Sequence, residues 1–137
     1  MLEEARKRSD KTFVLGNEEH LEIEDSAFDA IFTVTTLEFL DDYQMAVKEI
    51  ARITKPSGKF LSMILNPKSE YFKQEIQKNG DYFKKIKHTN LKKIRNYISQ
   101  FYQITNENYF LGFRRQQIFE TNDKKFATLY VVIGIKK

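Results

Sequence analysis

From Phe28 to Phe39 the chain reads Phe-Asp-Ala-Ile-Phe-Thr-Val-Thr-Thr-Leu-Glu-Phe, and this run limits the fold more than any other part of the sequence. Ala30 to Val34 is apolar, too short for a helix and rich in β-branched and aromatic residues, so the pattern predicts a strand buried on both faces. Small polar residues follow, Thr35 and Thr36, and then Leu37, Glu38 and Phe39 lead into an amphipathic helix capped by Asp41 or Asp42. In that helix Ala46, Val47, Ile50, Ala51 and Ile53 fall on one face. Pro56 and Gly58 stop it and turn the chain into a second apolar strand, Phe60 to Leu65. Strand, helix and strand make one βαβ unit, with parallel strands and a right-handed crossover. The carboxyl edge of such a sheet is where open α/β folds bind ligands.

The 137 residues form one domain, and 41% apolar with 14% aromatic residues supply a core. With no cysteine there is neither a disulfide framework nor a thiolate metal site, and with two His no metal is expected. No apolar segment approaches the roughly twenty residues that cross a bilayer, and no signal peptide is legible, so a cytoplasmic location is expected. The net charge of +4 conceals an uneven distribution: 17–47 holds nine acidic residues and no Lys or Arg, while 73–95 holds eight basic residues against Glu75 and Asp81. Two solvated faces account for this, as does an acidic rim beside a basic lid that receives an anion.

At the N-terminus, Met1 to Ser9 has the composition of an exposed helix and Thr12 to Leu15 reads as a short strand ending at Gly16-Asn17. Asn17 suits a tight turn, and Asp29 suits a loop-holding role through backbone N–H groups. After Asn66-Pro67, Ser69 caps a short helix carrying Phe72 and Ile76, and Gly80 breaks it. Tyr82, Phe83, Ile86 and His88 lie among lysines without regular spacing, an RNA-binding signature or an arginine-rich face, so nucleic acid is not the expected partner. Segment 66–90 reads instead as a lid over a small-molecule site. Asn90 caps a helix with Leu91, Ile94, Ile98 and Phe101 on one face. Two strands, near Glu107 to Phe113 and Phe126 to Ile135, close the chain as an antiparallel pair.

Gly16-Asn17-Glu18-Glu19-His20-Leu21, the Phe28 to Phe39 run and Ile53-Thr54-Lys55-Pro56-Ser57-Gly58, in that order, resemble the class I S-adenosylmethionine-dependent methyltransferases of the type 11 group. The resemblance covers the first half closely and the second half in its strand and helix pattern. It implies an α/β, Rossmann-like three-layer methyltransferase fold, with parallel strands and a C-terminal antiparallel pair. It also implies S-adenosylmethionine bound by Gly16, Asn17, Glu18, Val34, Thr35, Thr36 and Leu37, with a polar residue at Asn17 accepting from the adenine amino group. Glu38 and Asn66 are the candidates for contact with a small-molecule acceptor. Glu38 equally suits the dipole of a helix N-terminus. No catalytic side chain is singled out, because the cofactor carries the reactive group and the protein chiefly aligns and shields.

The family's opening strand, its Gly-x-Gly loop and the acid that binds the ribose hydroxyls have no counterpart in these residues. The resemblance therefore implies an N-terminally truncated domain that starts about a third of the way in, with impaired cofactor affinity. The two strands without a counterpart would leave a gap of roughly 10 to 14 Å between the Thr12 and Ala30 strands. Filling it predicts direct pairing of those two strands, detachment of the N-terminal piece, or a homodimer or strand exchange. A second functional reading is a non-catalytic remnant that binds an anionic partner through the basic segment 73–95.

Overall fold

Strand β1 (Phe28–Val34) runs parallel to β2 (Thr54–Leu65), joined by helix α2 (Tyr43–Ile53), as the βαβ pattern requires. The structure, a computed structural model, describes residues 1–12, 16–78 and 80–137, so the strand expected at Thr12 to Leu15 lies, but for Thr12, outside the described residues. Helix α1 (Leu2–Arg8) precedes β1 and buries none of its residues. After β2 come α3 (Glu70–Gln77), α4 (Leu91–Ile98), β3 (Tyr102–Arg114), β4 (Gln117–Phe119) and β5 (Ala127–Lys136). The five strands form one sheet in the order β1-β2-β5-β3-β4, in which only the β1–β2 pair is parallel. The α/β methyltransferase-like layout with a C-terminal antiparallel pair is thus present, and β5 sits between β2 and β3.

Local chemistry sets the helix ends. Asp42 Oδ1 accepts from the Met45 N–H at 3.0 Å, Ser69 Oγ from Phe72 N–H at 3.1 Å, and Asn90 Oδ1 from Lys93 N–H at 3.0 Å. α2 buries the face read from its spacing, Ala46, Val47, Ile50, Ala51 and Ile53. That face and α4 through Ile94 and Ile98 pack on Phe60, Ile64, Tyr102, Tyr130 and Val132, which makes the main core. Burial pushes the Tyr102 hydroxyl up to about 12, and it is hydrogen-bonded to Thr54 Oγ1 at 2.7 Å.

β2 begins earlier than its apolar run. Lys55-Pro56-Ser57-Gly58 is a bulge within the strand, where the register jumps from Phe28 opposite Thr54 to Ala30 opposite Lys59. Ser57 has φ 62°, and a side chain at Gly58 would meet Thr54 Cγ2 at 2.6 Å, so glycine is required there.

The expectation that β1 is buried on both faces is corrected. Among the described residues β1 is an edge strand, and α2 and α4 cover only the face of the sheet that carries Ile31 and Thr33. On the other face Phe32 is 74% and Val34 47% exposed, beside half-buried Leu61, Met63, Val131 and Ile133. Cover on this second face comes from Phe72 of α3 and Phe83, which pack at its end over Leu65 and Leu129. β1 therefore keeps its apolar sequence without the second layer that would bury it.

Candidate functional site

The parallel strands β1 and β2 end side by side. Thr35, the first residue past β1, donates its N–H to the Met63 carbonyl at 2.8 Å and then turns with φ 43°. A β-branched residue in the left-handed region costs about 1 to 3 kcal/mol, and such strain persists where the surroundings over-determine it. Thr36 donates its hydroxyl to the Val34 carbonyl at 2.9 Å, and Leu37–Phe39 form one turn of 3-10 helix. Thr35 and Thr36 are half-buried and Val34 is exposed, so this turn presents backbone and small polar groups at the sheet edge.

Leu37 and Glu38, also expected to face ligand, point inward at 1% exposure each. Leu37 joins the main core. Glu38 Oε2 accepts from the Leu65 N–H at 2.6 Å, tying the turn after β1 to the last residue of β2. Its Oε1 is buried without a hydrogen-bond partner among the described residues. Burial pushes this carboxyl up to about 7, only partly offset by the Leu65 N–H. Glu38 does stand in the first turn of a helix, as its sequence context allowed, but its side chain turns inward and forms a closing bond between two strand ends.

Residues 82–88 rest on the same turn. The Glu38 carbonyl accepts the N–H groups of Lys87 at 2.8 Å and His88 at 3.1 Å, His88 Nε2 bonds the Leu40 carbonyl at 2.7 Å, and Lys87 pairs with Asp41. The Tyr82 ring lies 4.9 Å from Phe39, and its hydroxyl reaches Thr35 Oγ1 at 3.5 Å. These contacts fix 82–88 against 35–41. The basic segment 73–95 is partly neutralised, by Glu75 within it, which pairs with Lys78, and by two acids outside it, Asp41 on Lys87 and Glu107 on Arg95.

Gly16, Asn17 and Glu18 are exposed and form a tight turn, in which Asn17 Oδ1 accepts from the Glu19 N–H at 2.9 Å. Glu19 Oε1 accepts from the Asp42 N–H at 3.0 Å, which brings this turn to the start of α2, the helix that leaves the β1 edge. Arg52 fastens the following stretch: it bonds the Leu21 and Ile23 carbonyls, Asp25 and Glu49, and this pairing holds the Glu49 carboxyl down at about 2. Asp29, expected to hold its own loop, instead pairs with Lys55 at 3.3 Å. Asn66 is fully buried, and its side chain donates to the Lys124 and Ala127 carbonyls and accepts from the Lys68 N–H. Both amide hydrogens and the oxygen of Asn66 are engaged within the protein. The pairing partners of Glu38 and Asn66 were not legible in sequence, because they come from residues 27 and 58 to 61 positions away.

Among the described residues no helix is long and apolar enough to cross a membrane. Residues 1–62 match the family model described as a methyltransferase domain. A sterol 4-C-methyltransferase of Caenorhabditis elegans is 32% identical over 65 residues, which are 47% of this chain and 18% of that protein. The chain thus spans 18% of the length of the curated relative it matches. A crystal structure of an S-adenosylmethionine-dependent methyltransferase from Thermotoga maritima, described as a possible histamine N-methyltransferase, superposes on 100% of this chain and 69% of its own, with TM-score 0.79 and 25% identity. The [4+2]-cyclase SpnF superposes on 78% of this chain and 38% of its own, with TM-score 0.62 and 20% identity, which shows shared fold alone.

Glu38 gives a pH signature. Its folded-state pKa is raised, so the folded protein holds this proton more tightly than the unfolded chain. The resulting stabilisation is whole below about 4.5 and is lost as pH rises to about 7. Denaturant unfolding of the native chain and Glu38→Gln from pH 4.5 to 8 is expected to show the native chain losing about 3 kcal/mol relative to the variant. A pH-independent difference would remove Glu38 as a buried, titrating latch.

Proposed function

We propose that the chain is a member of the class I S-adenosylmethionine-dependent methyltransferase family and takes part in methyl transfer from S-adenosylmethionine to a small-molecule acceptor in the cytoplasm. The observation that carries this reading is the strained polar turn Thr35-Thr36 at the carboxyl end of a parallel strand, together with a second turn, 16–18, fastened to the start of α2 through the bond from the Asp42 N–H to Glu19. Gly16, Asn17 and Glu18, with the backbone at Val34, Thr35, Thr36 and Leu37, are the residues assigned to the adenosine end. When bound, the cofactor supplies an electrophilic methyl group on a sulfonium cation. Of the nine carboxylates within 17–47, those neither buried nor paired with Arg52, Lys55 or Lys87, Glu18 and Glu22 among them, suit that positive charge. The donor set fits the nucleoside better than the amino-acid tail, since the residues before β1 contain no Gly-x-Gly cradle.

The work left to the chain's own residues is alignment and exclusion of water. Segment 66–90 serves as the lid. Glu38 and Asn66 act by holding the strand ends and the following loops, so that a substrate meets a fixed edge. The reading predicts weak cofactor binding. Calorimetric titration with S-adenosylmethionine is expected to give a dissociation constant near about 1 mM, on the order of 4 kcal/mol, weakened further by Asn17→Ala. No heat at several times that concentration would end the reading for this chain, and unchanged affinity in Asn17→Ala would take Asn17 out of the site.

The partner assigned to the β1 edge is a second copy. Antiparallel pairing of two β1 strands about Ile31 sets Phe28 of one copy opposite Val34 of the other and Ala30 opposite Phe32, which extends the sheet and its apolar face. The edge carries no Lys or Pro to discourage this pairing. Light scattering on the eluting protein is expected to give a dimer that Phe32→Lys converts to a monomer; a native monomer at tens of micromolar would contradict the pairing.

A further inference from the structure

Two adjoining cavities, of about 580 and 470 Å³, run along the N-terminal half of α4 over β3, and their walls share Leu91, Lys92, Tyr109 and Lys124. Lys68 lines the first, and Arg95 and Glu107 line the second. Four cations therefore face one carboxylate. That carboxylate is already occupied, since Glu107 Oε2 accepts from Arg95 Nε at 2.7 Å and from the Tyr130 hydroxyl at 3.2 Å, and the Arg95 bond holds its pKa down. Among the described residues Lys68, Lys92 and Lys124 have no acidic partner within ion-pair distance. Lys124 Nζ lies 5.5 Å from the centre of the Tyr109 ring.

The gathering of these cations is built in. Fully buried Asn66 donates through Nδ2 to the Lys124 carbonyl at 2.8 Å, and its Oδ1 accepts from the Lys68 N–H at 3.0 Å. One amide thus holds together the main chain at two of the lysines that line the groove. Like charges brought together without a counter-charge oppose folding, and an anion seated between them offsets that cost. The space exceeds a single phosphate group and offers the Leu91 side chain and the Tyr109 ring to an organic body.

We propose that this groove is a binding site for a phosphate-bearing small molecule, with Lys68, Lys92 and Lys124 holding the anion. The site stands apart from the turn assigned to the methyl donor and takes from segment 66–90 only its two ends, Pro67-Lys68 and Thr89-Asn90; Lys78 and Lys87, which lie between those ends, are already paired. It does not depend on the methyltransferase reading.

The test is calorimetric titration of the full chain with inorganic pyrophosphate at low salt. The expected result is saturable binding that weakens about tenfold or more in the Lys92→Gln, Lys124→Gln double variant, since charge-assisted hydrogen bonds are lost. The Lys84→Gln, Lys85→Gln double variant removes the same net charge outside the groove and is expected to keep the affinity within about twofold. Absence of binding to the native chain, or equal weakening in the two double variants, would overturn the site. All four substitutions are at exposed positions, so folding of the variants is not at stake.

Discussion

The carboxyl ends of two parallel strands are sewn together by two bonds, the Thr35 N–H to the Met63 carbonyl and the Leu65 N–H to the Glu38 carboxyl. Much of the functional edge follows from them. They oblige the chain to leave β1 through a left-handed threonine, to bury Leu37 and Glu38, and to offer only Thr35, Thr36 and backbone outward. The same Glu38 receives the Lys87 and His88 N–H groups through its carbonyl, so the edge and the segment that packs on it are held at one residue. A slip of β1 against β2 by one position would turn Ile31 and Thr33 to the bare face and break both arrangements together.

The sheet is half a sandwich. One face is sealed by α2 and α4, and the other is apolar and largely open beyond Leu65 and Leu129. Among the described residues β1 joins an exposed apolar face to an unpaired edge, the two features on which the proposed pairing of two copies rests. The basic groove lies on the sealed side, over β3, and serves chemistry of the opposite kind.

Local signals were read well from the sequence. The spacing of Ala46, Val47, Ile50 and Ala51 gave α2, and Asp42, Ser69 and Asn90 marked helix starts through caps that need only three residues of chain. α4 ended at Ile98, three residues short of the stripe that runs to Phe101, because the chain turns into β3 there. β4 escaped notice because its turn, Arg115-Gln116, holds positive φ at both positions without the glycine or asparagine that announces a hairpin. Burial of β1 was misjudged because an apolar run states what a strand prefers, not whether a second layer exists to meet the preference. The inward turn of Glu38 and the clamp made by Asn66 depend on partners far away in sequence, and no local pattern encodes them.

The claim on which the account turns is that the nucleoside of the methyl donor rests on the 16–18 and 34–37 turns. Amide hydrogen exchange of the chain with and without saturating S-adenosylmethionine tests it most directly. The account predicts slower exchange confined to those two turns and to residues 82–88, which rest on the second of them. Unchanged exchange there, or protection centred on the α4 groove instead, would contradict it.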